Sequence, residues 1–536
     1  MNQGRQRLTA DHLMWGVALA IVLMHGYLAT TSTNSLLNWY RYDDAFYYFK
    51  TAQNFAHGLG MTFDGTGTTN GFHPLWMAVC VPVFALARGV GDVLPLRVLV
   101  VIVGVLVAAS AWALYRAGKR LWGAEVALLV AAFWALWPAS YVALSAGGME
   151  TSLNALTLIV FWRMLMRVWA HPTEGRAVRV LGWAAALAML ARLDNALIVA
   201  VVGLALIWRW WQEGLRGKRL VRMMWWFGWP GLLGVGAFLV WGYVAVGSWM
   251  PISSEVKAWW GSLMGTPYGR AWRYRLANFL TTWAHTPLTQ WPRLWAQYLP
   301  SWRLAVALTA AFAALLGGIA GLRAAFRRWP DLKTHFSQAA LAPFLGGVMA
   351  HWAYMRVFSG IMPLRPWYWT PERLAAAILA GWALSKLSQR IPASQRVKTA
   401  YLGTGMLLII LGGWWLEAFP WYNAHEHVYL HTARWVEAHT EKGAVIGAPG
   451  SGALGYFVHD RRVINLDGLI STPAYLHAWQ EGKIVPYLHH LHVQYVFAGY
   501  WVKHMAPYKD TLAPYLVNLE QYRYDGVLVG LFRVQY

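Results

Sequence analysis

Charge is what this sequence has least of. Only 13% of its 536 residues are Asp, Glu, Lys or Arg, about half the share usual in a soluble domain, while 58% are hydrophobic and 36 are Trp. That excludes an ordinary soluble protein and leaves an integral membrane protein. Cysteine is almost missing: the single one, Cys80, lies in an apolar run, so no intramolecular disulfide can form even in a part that reaches an oxidising compartment. No glycine-rich stretch ends in Lys-Ser or Lys-Thr. Both "GVGDVLPLR" (89–97) and the "GLG" near residue 60 lack the spacing that cradles nucleotide phosphates, which excludes P-loop chemistry. There is no internal repeat and no low-complexity tract.

Acids are scarcer than bases, 23 against 45, for a formal charge of +22. A nucleic-acid surface would explain such an excess, but the bases sit in short hydrophilic gaps between apolar runs: Arg116, Lys119 and Arg120; Arg163, Arg167, Arg176 and Arg179; Arg216, Lys218, Arg219 and Arg222; Arg323, Arg327, Arg328 and Lys333; Lys386, Arg390, Arg396 and Lys398. These read as positive-inside loops, with membrane lipids and no nucleic acid as partners.

Apolar runs of about twenty residues recur at 12–32, 96–115, 124–145, 150–168, 224–246, 303–322, 338–358 and 400–419, each long enough to cross ~30 Å of hydrocarbon. Shorter candidates lie at 75–90, 180–191, 195–210 and 371–386, giving an expectation of about 11–13 crossings. The first run follows "MNQGRQR" and has no well-placed small-residue cleavage site, so it reads as a retained span with its N-terminus inside. Basic loops inside put 33–73, the "GGME" turn at 147–150, 247–300, "GIMPLRPWYWTPE" and everything after 420 on the opposite, external face. Between 74 and 116 the charge rule needs an odd number of crossings and hydropathy offers two. Either 75–90, short and interrupted by Pro82, does not fully cross, or the 116–120 loop breaks the rule.

After 420 the pattern changes. "GAVIGA", "RVINLDG", "VQYVFAGY" and "GVLVGLFRVQY" read as short strands and "PAYLHAWQEG" as a helix, an α/β domain outside the membrane. The "LHHLH" at 488–492 fits no closed zinc site.

The few external polar residues carry the chemistry. Asp43 and Asp44 stand side by side at the mouth of the first apolar run, before an amphipathic segment in which helical spacing puts Tyr47 on the face of Asp43. One of them can cap that helix, but capping needs only one carboxylate. Asn70 and His73 return polar groups to the same surface. Glu150 opens an apolar helix after two glycines, where it either complements the helix N-terminus or works in the site. Arg192 and Asp194 interrupt about 35 residues of apolar text, as a salt bridge or as the lining of a polar cavity. Lys257 in "PISSEVK", and Arg365 with Tyr368 in "LRPWYW", place cations and hydroxyls at loop–helix junctions. Carboxylates act as general bases or metal ligands and cations hold phosphate oxygens, a combination suited to transfer from a lipid phosphate.

"DDAFYYFKTAQNFAHGLGMTFDGTGTTNGFHPLW", "GGMET", "ARLDN", "PISSEVK" and "INLDGLIS" together resemble a group of bacterial membrane proteins of the GT-C glycosyltransferase superfamily, which includes the protein O-mannosyltransferases and the lipid A aminoarabinose transferases. The resemblance implies a GT-C-like, all-α polytopic membrane domain over 1–420 with its first external loop at 33–73, followed by a small extracytoplasmic α/β domain over 421–536, in the cell inner (plasma) membrane. It implies a polyprenyl-phosphate-linked sugar as donor, an acceptor glycan, lipid or protein, and Asp43 or Asp44 as the base of an inverting transfer. Glu150 matches a second acidic position. Lys257 and Arg365 are candidates by chemistry, Arg365 preferred as the phosphate clamp, and no role follows for "INLDGLIS".

Other readings remain. No organic cofactor is called for, but a divalent ion held by Asp43, Asp44, Glu150 and Asp194 would mark a metal-dependent oligosaccharyltransferase-like enzyme. A transporter or flippase of lipid-linked sugars would share the spans without needing adjacent external acids. A saccharide-binding module on a membrane anchor would not need so many spans.

Overall fold

The computed structural model describes residues 9–145, 147–268, 327, 330–357, 365–390, 403–405, 407, 411 and 426–536. The expected spans at 303–322 and 400–419 fall almost wholly outside these, as do Arg323, Arg328, Arg396 and Lys398 and residues 269–300 of the expected external stretch 247–300.

Helix α1 (Ala10–Thr30) is followed by two short helices, α2 (Thr33–Trp39) and α3 (Ala45–Ala56), and then by α4 (Pro74–Leu86) and α5 (Val93–Trp122). Helices α1 and α5 lie antiparallel. Asp11 at the start of α1 meets Lys119 near the end of α5 at 2.7 Å, and Arg97 at the start of α5 donates to the Thr31 carbonyl at 2.7 Å. The run at 124–145 is divided at Pro138 into α6 (Ala124–Leu136) and α7 (Pro138–Leu144), because proline cannot continue the ladder. Next come α8 (Thr151–Ala170), α9 (Gly175–Ala191), a 3₁₀ turn (Leu193–Asn195), α10 (Ala196–Gln212), α11 (Gly217–Val246) and α12 (Ile252–Ser262). Beyond the undescribed stretch are α13 (Pro330–Gln338), α14 (Leu341–Val357), a 3₁₀ turn (Pro366–Trp369) and α15 (Thr370–Arg390).

Among the described residues, five helices are long and apolar enough to cross a bilayer: α1, α5, α8, the run Leu193–Gln212 and α11. The outward faces of α1, α10 and α11 show Trp15, Leu23, Leu204, Leu232 and Val244 exposed, the arrangement expected where lipid replaces water as solvent. The bundle has two chemically different ends. Arg116, Arg120, Arg163, Arg167, Arg209 and Lys218 lie at the ends of α5, α8 and α10 and the start of α11. Asp43, Glu150, Arg192 and Gly247 lie at the other.

The question left open between 74 and 116 has a geometric answer. Helix α4 has 13 residues, roughly 20 Å of length, too short to cross. Its start is tied to the Glu150 end through His73. Its end returns to the same side, where Phe84 packs on Tyr456 and the Tyr456 hydroxyl donates to the Asp92 carbonyl at 2.6 Å. It is α4, therefore, that fails to cross, and α5 crosses alone.

The C-terminal region contains α16 (Val428–His439), β1 (Val445–Ala448), α17 (Gly452–Phe457), β2 (Arg462–Asn465), α18 (Pro473–Gln480), α19 (Ile484–His490), β3 (Tyr495–Ala498), β4 (Leu516–Tyr524) and β5 (Val527–Val534). The strands form one sheet in the order β2-β1-β3-β5-β4. Strand β1 is parallel to both neighbours, with Ile446 opposite Val463 and Tyr495, and the β4–β5 hairpin completes the sheet antiparallel, with Val496 opposite Phe532. Strands β1 and β3 are buried along their length, which is why they read as continuous apolar runs and not as alternation. The chain is thus an all-α polytopic membrane region followed by a small α/β region.

Close helix contact in lipid depends on small residues, and α9 packs on α11 at Gly182. A Cβ there would stand 2.6 Å from the Trp226 carbonyl oxygen and 2.7 Å from that of Phe227. Gly182→Ala should therefore cost about 1–3 kcal/mol and lower the thermal midpoint in detergent. Gly228→Ala in α11, where a Cβ meets nothing within 4 Å, should be neutral or slightly stabilising. Equal midpoints for the two variants would contradict this packing.

Candidate active site

The two adjacent acids are held differently. Asp43 accepts the backbone N–H of Gly452 on one oxygen at 3.0 Å and that of Ala453 on the other at 2.6 Å. It caps not its own helix but α17, more than four hundred residues away. Only glycine fits at 452, where a Cβ would lie 2.3 Å from the Asp43 carbonyl oxygen. Asp44 occupies the N-cap position of α3 without capping it, and among the described residues its carboxylate has no hydrogen-bonding or ion-pair partner.

The C-terminal region closes over this pair. Tyr47 donates to Asp467 Oδ2 at 2.7 Å and accepts from the Asn465 amide at 3.1 Å. Asp467 also accepts from Gly450 N–H at 2.9 Å and Leu469 N–H at 3.0 Å. The loops at 449–452 and 466–469 follow the carboxyl ends of β1 and β2, the edge where parallel sheets carry their sites. Aromatic rings seal the joint, with Phe46 against Tyr429, Tyr456 and Phe457.

Below Asp44 lies a buried ion network. Arg192 ends α9 and contacts Glu150 Oε1 at 2.5 Å, and it makes a fork on Asp194 at 2.7 and 3.2 Å. Tyr48 donates to the other oxygen of Glu150 at 2.9 Å. His351 lies 3.5 Å from Asp194 and 2.8 Å from Glu372. His73 Nε2 faces Glu150 at 3.8 Å while its Nδ1 accepts from Leu193 N–H at 3.5 Å. Burial pushes the His73 imidazole down to about 4, so it is neutral near pH 7. The sequence left Glu150 and the Arg192–Asp194 pair each with a structural and a functional alternative. The geometry joins all three in one unit.

Two cations stand nearer Asp44. Lys257 on α12 approaches the Tyr368 ring to 5.6 Å, and Arg192 approaches the same ring to 4.8 Å. Burial would lower the Lys257 pKa, but Tyr368 and Asp44 draw it upward, and the side chain stays charged. Arg365 is exposed and lies 5.5 Å from the Trp367 ring, which packs on Tyr42. Burial raises the Asp44 pKa; Arg365 and Lys257 pull it down, and Asp467 and Glu150 push it up. Five charges thus act on one space.

Asn70 is engaged elsewhere. Its amide donates to the Met250 carbonyl at 3.2 Å and accepts from Ile252 N–H at 2.9 Å, which fixes the loop before α12 and so the height of Lys257. Sequence reasoning missed Tyr48, His351, Glu372, Asn465 and Asp467. The signal for Asp467 was present, a lone acid ending the apolar "RVIN" strand. His351 was hidden inside an apolar run.

The four acids proposed for a divalent ion do not fit one. Glu150 and Asp194 both pair with Arg192, Asp43 accepts two N–H groups, and of the four only Asp44 has no hydrogen-bonding or ion-pair partner among the described residues. Among the described residues no group of three or more His, Cys, Asp or Glu is arranged to hold a metal; that covers "LHHLH", where the His489 ring instead meets Tyr536.

A family model described as "Domain of unknown function (DUF8728)" matches residues 420–529. No curated protein matches the chain. Among solved structures the chain is similar to the Archaeoglobus fulgidus oligosaccharyltransferase in complex with Zn and sulfate, with TM-score 0.51, 13% identity and coverage of 96% of this chain and 72% of that one. It is similar to the archaeal oligosaccharyltransferase AglB from the same organism in complex with an inhibitory peptide and a dolichol-phosphate, with TM-score 0.51, 13% identity, and 97% and 74% coverage. ArnT from Cupriavidus metallidurans bound to undecaprenyl phosphate gives TM-score 0.50 and 15% identity over 97% of both chains. The chain therefore shares the fold of these structures, the GT-C fold that the sequence resemblance implied.

Burial pushes the Asp43 carboxyl up to about 7, with Asp44 adding to the rise and the Ala453 and Gly452 N–H groups opposing it. A folded-state pKa above the unfolded value of about 3.9 means that the folded state binds the proton more tightly, so this group lowers stability as pH rises through 4 to about 7. Lowering the pH from about 8 to about 5 should raise the thermal midpoint, and Asp43→Asn should remove that part of the dependence. Asp43→Asn should also open 450–457 to proteolysis, while Asp44→Asn should not. A pH profile unchanged in Asp43→Asn would refute the assignment.

Proposed function

We propose that this chain is a glycosyltransferase that moves a sugar from a polyprenyl-phosphate donor to an acceptor hydroxyl or amine, with Asp44 as the general base. The observation that carries the reading is the division of labour in the acidic pair. Asp43 is occupied by the C-terminal region, and Asp44 is left partly accessible beside Lys257 and Arg365. In this reading Asp44 takes the proton of the acceptor as the acceptor's oxygen or nitrogen attacks the anomeric carbon. The bond from that carbon to the phosphate oxygen breaks with its electron pair, polyprenyl phosphate leaves, and attack from the opposite face inverts the sugar.

The cations balance the phosphate. Arg365 offers a fork to its oxygens and Lys257 a mobile point charge, and without them a desolvated phosphate would carry a prohibitive cost. Tyr368, in contact with Lys257, orients that amine. Glu150, Arg192, Asp194 and His73 are positioning residues, since their polar atoms face one another. Tyr47 and Asn70 hold the C-terminal loops and α12 in place. The fold supports the class, and the lipid phosphates bound by AglB and ArnT support the donor. The scheme has a membrane region to about residue 420, a C-terminal region beyond it, and the site on the extracytoplasmic face of the plasma membrane, opposite the basic loops.

The test is transfer of radiolabelled sugar from a polyprenyl-phosphate donor by purified protein. Asp44→Asn should lose about 10²–10⁴ in rate while staying folded. Because the Asp44 pKa is raised, the acid limb of the wild-type rate profile should lie above the ordinary carboxylate value of about 3.9. Full turnover by Asp44→Asn would sink the role. Arg365→Lys should raise the donor KM and leave the acceptor KM near wild type; unchanged donor kinetics in an active enzyme would remove Arg365 from the clamp.

A further inference from the structure

A charged cavity lies at the far end of α8. Arg116 and Arg120 are one turn apart near the end of α5, and Arg163 and Arg167 are one turn apart near the end of α8, which packs alongside. All four line one cavity of about 680 Å³. Along α8 it is about 25 Å from Glu150 to Arg167, so this is not the site described above.

The cavity is short of negative charge. Its one carboxylate, Glu174, is held by Arg167 in a fork at 2.6 and 3.2 Å. Asp11, on the neighbouring α1, is held by Lys119. Among the described residues no carboxylate lies within ion-pair distance of Arg116, Arg120 or Arg163. Crowding guanidinium groups around one space costs repulsion unless an anion joins them, and the planar fork of arginine matches phosphate oxygens. Leu121 and Met166 add an apolar wall beside the charges.

We propose that this cavity binds a phosphate group, presented by the head group of an anionic membrane lipid. Basic pockets between membrane helices suit such head groups, and the apolar wall suits the first carbons of a lipid and not a free ion. The proposal does not rest on the transferase reading.

The experiment uses the full chain in nanodiscs of phosphatidylcholine alone, of phosphatidylcholine with phosphatidylglycerol, and of phosphatidylcholine with millimolar inorganic phosphate. Phosphatidylglycerol should raise the thermal midpoint by about 3–5 °C. Arg116→Gln combined with Arg163→Gln should abolish that gain. Lys218→Gln combined with Arg219→Gln, exposed bases outside the cavity, should keep it. An equal gain in the cavity variant, or its loss in the surface variant, would overturn the site in favour of general surface attraction. The same gain from inorganic phosphate would keep the phosphate chemistry and overturn the lipid source. If the cavity variant does not fold, native mass spectrometry of the wild type decides: preferential retention of phosphatidylglycerol supports the site, and equal retention of both lipids overturns it.

Discussion

A carboxylate withdrawn from water must be given donors or lose its charge, and the arrangement of this molecule follows from how Asp43 meets that demand. Its two oxygens receive the first free N–H groups of α17, so the C-terminal sheet is anchored on the loop between α2 and α3. The approach is close enough that residue 452 must be glycine. Once that contact is made, Tyr47 reaches Asp467, the loops after β1 and β2 come to lie over α3, and Asp44 is left half-buried with no hydrogen-bonding or ion-pair partner among the described residues.

The second constraint lies beneath. A buried arginine is costly unless it is paired and hydrogen-bonded, and Arg192 meets that condition with Glu150 and Asp194. It stands where α9 ends and α10 has not begun, and the ion network fixes that break. Such a unit has little capacity left for a substrate. It gives the groups above it a rigid floor, and in the proposed reaction the reactive capacity falls to Asp44, Lys257 and Arg365.

Much of this was legible in the sequence, for identifiable reasons. Length and apolarity revealed the long helices because a bilayer imposes both, and buried parallel strands revealed themselves as short apolar runs. Adjacent acids in a chain with so few stood out at once. The division of labour between Asp43 and Asp44 was not legible, since it depends on a partner more than four hundred positions away. The fate of α4 was undecidable from hydropathy, because 13 apolar residues suit a buried helix as well as half a span; the Tyr456–Asp92 contact that decides it is long-range. Asp467 carried a visible motif but no assignable task until the sheet brought the ends of β1 and β2 onto α3. His351 and Glu372 gave no signal of their own, because a histidine inside an apolar run gains meaning only from what faces it.

The central claim is that Asp44 faces the space where a lipid phosphate meets its acceptor, and that Asp43 does not. A structure determined by cryo-electron microscopy with polyprenyl phosphate bound addresses this directly. The account predicts phosphate density between Lys257 and Arg365, with Asp44 the carboxylate beside it and Asp43 still on Gly452 and Ala453. Phosphate density away from both cations, or Asp43 released from α17 to face the ligand, would contradict it.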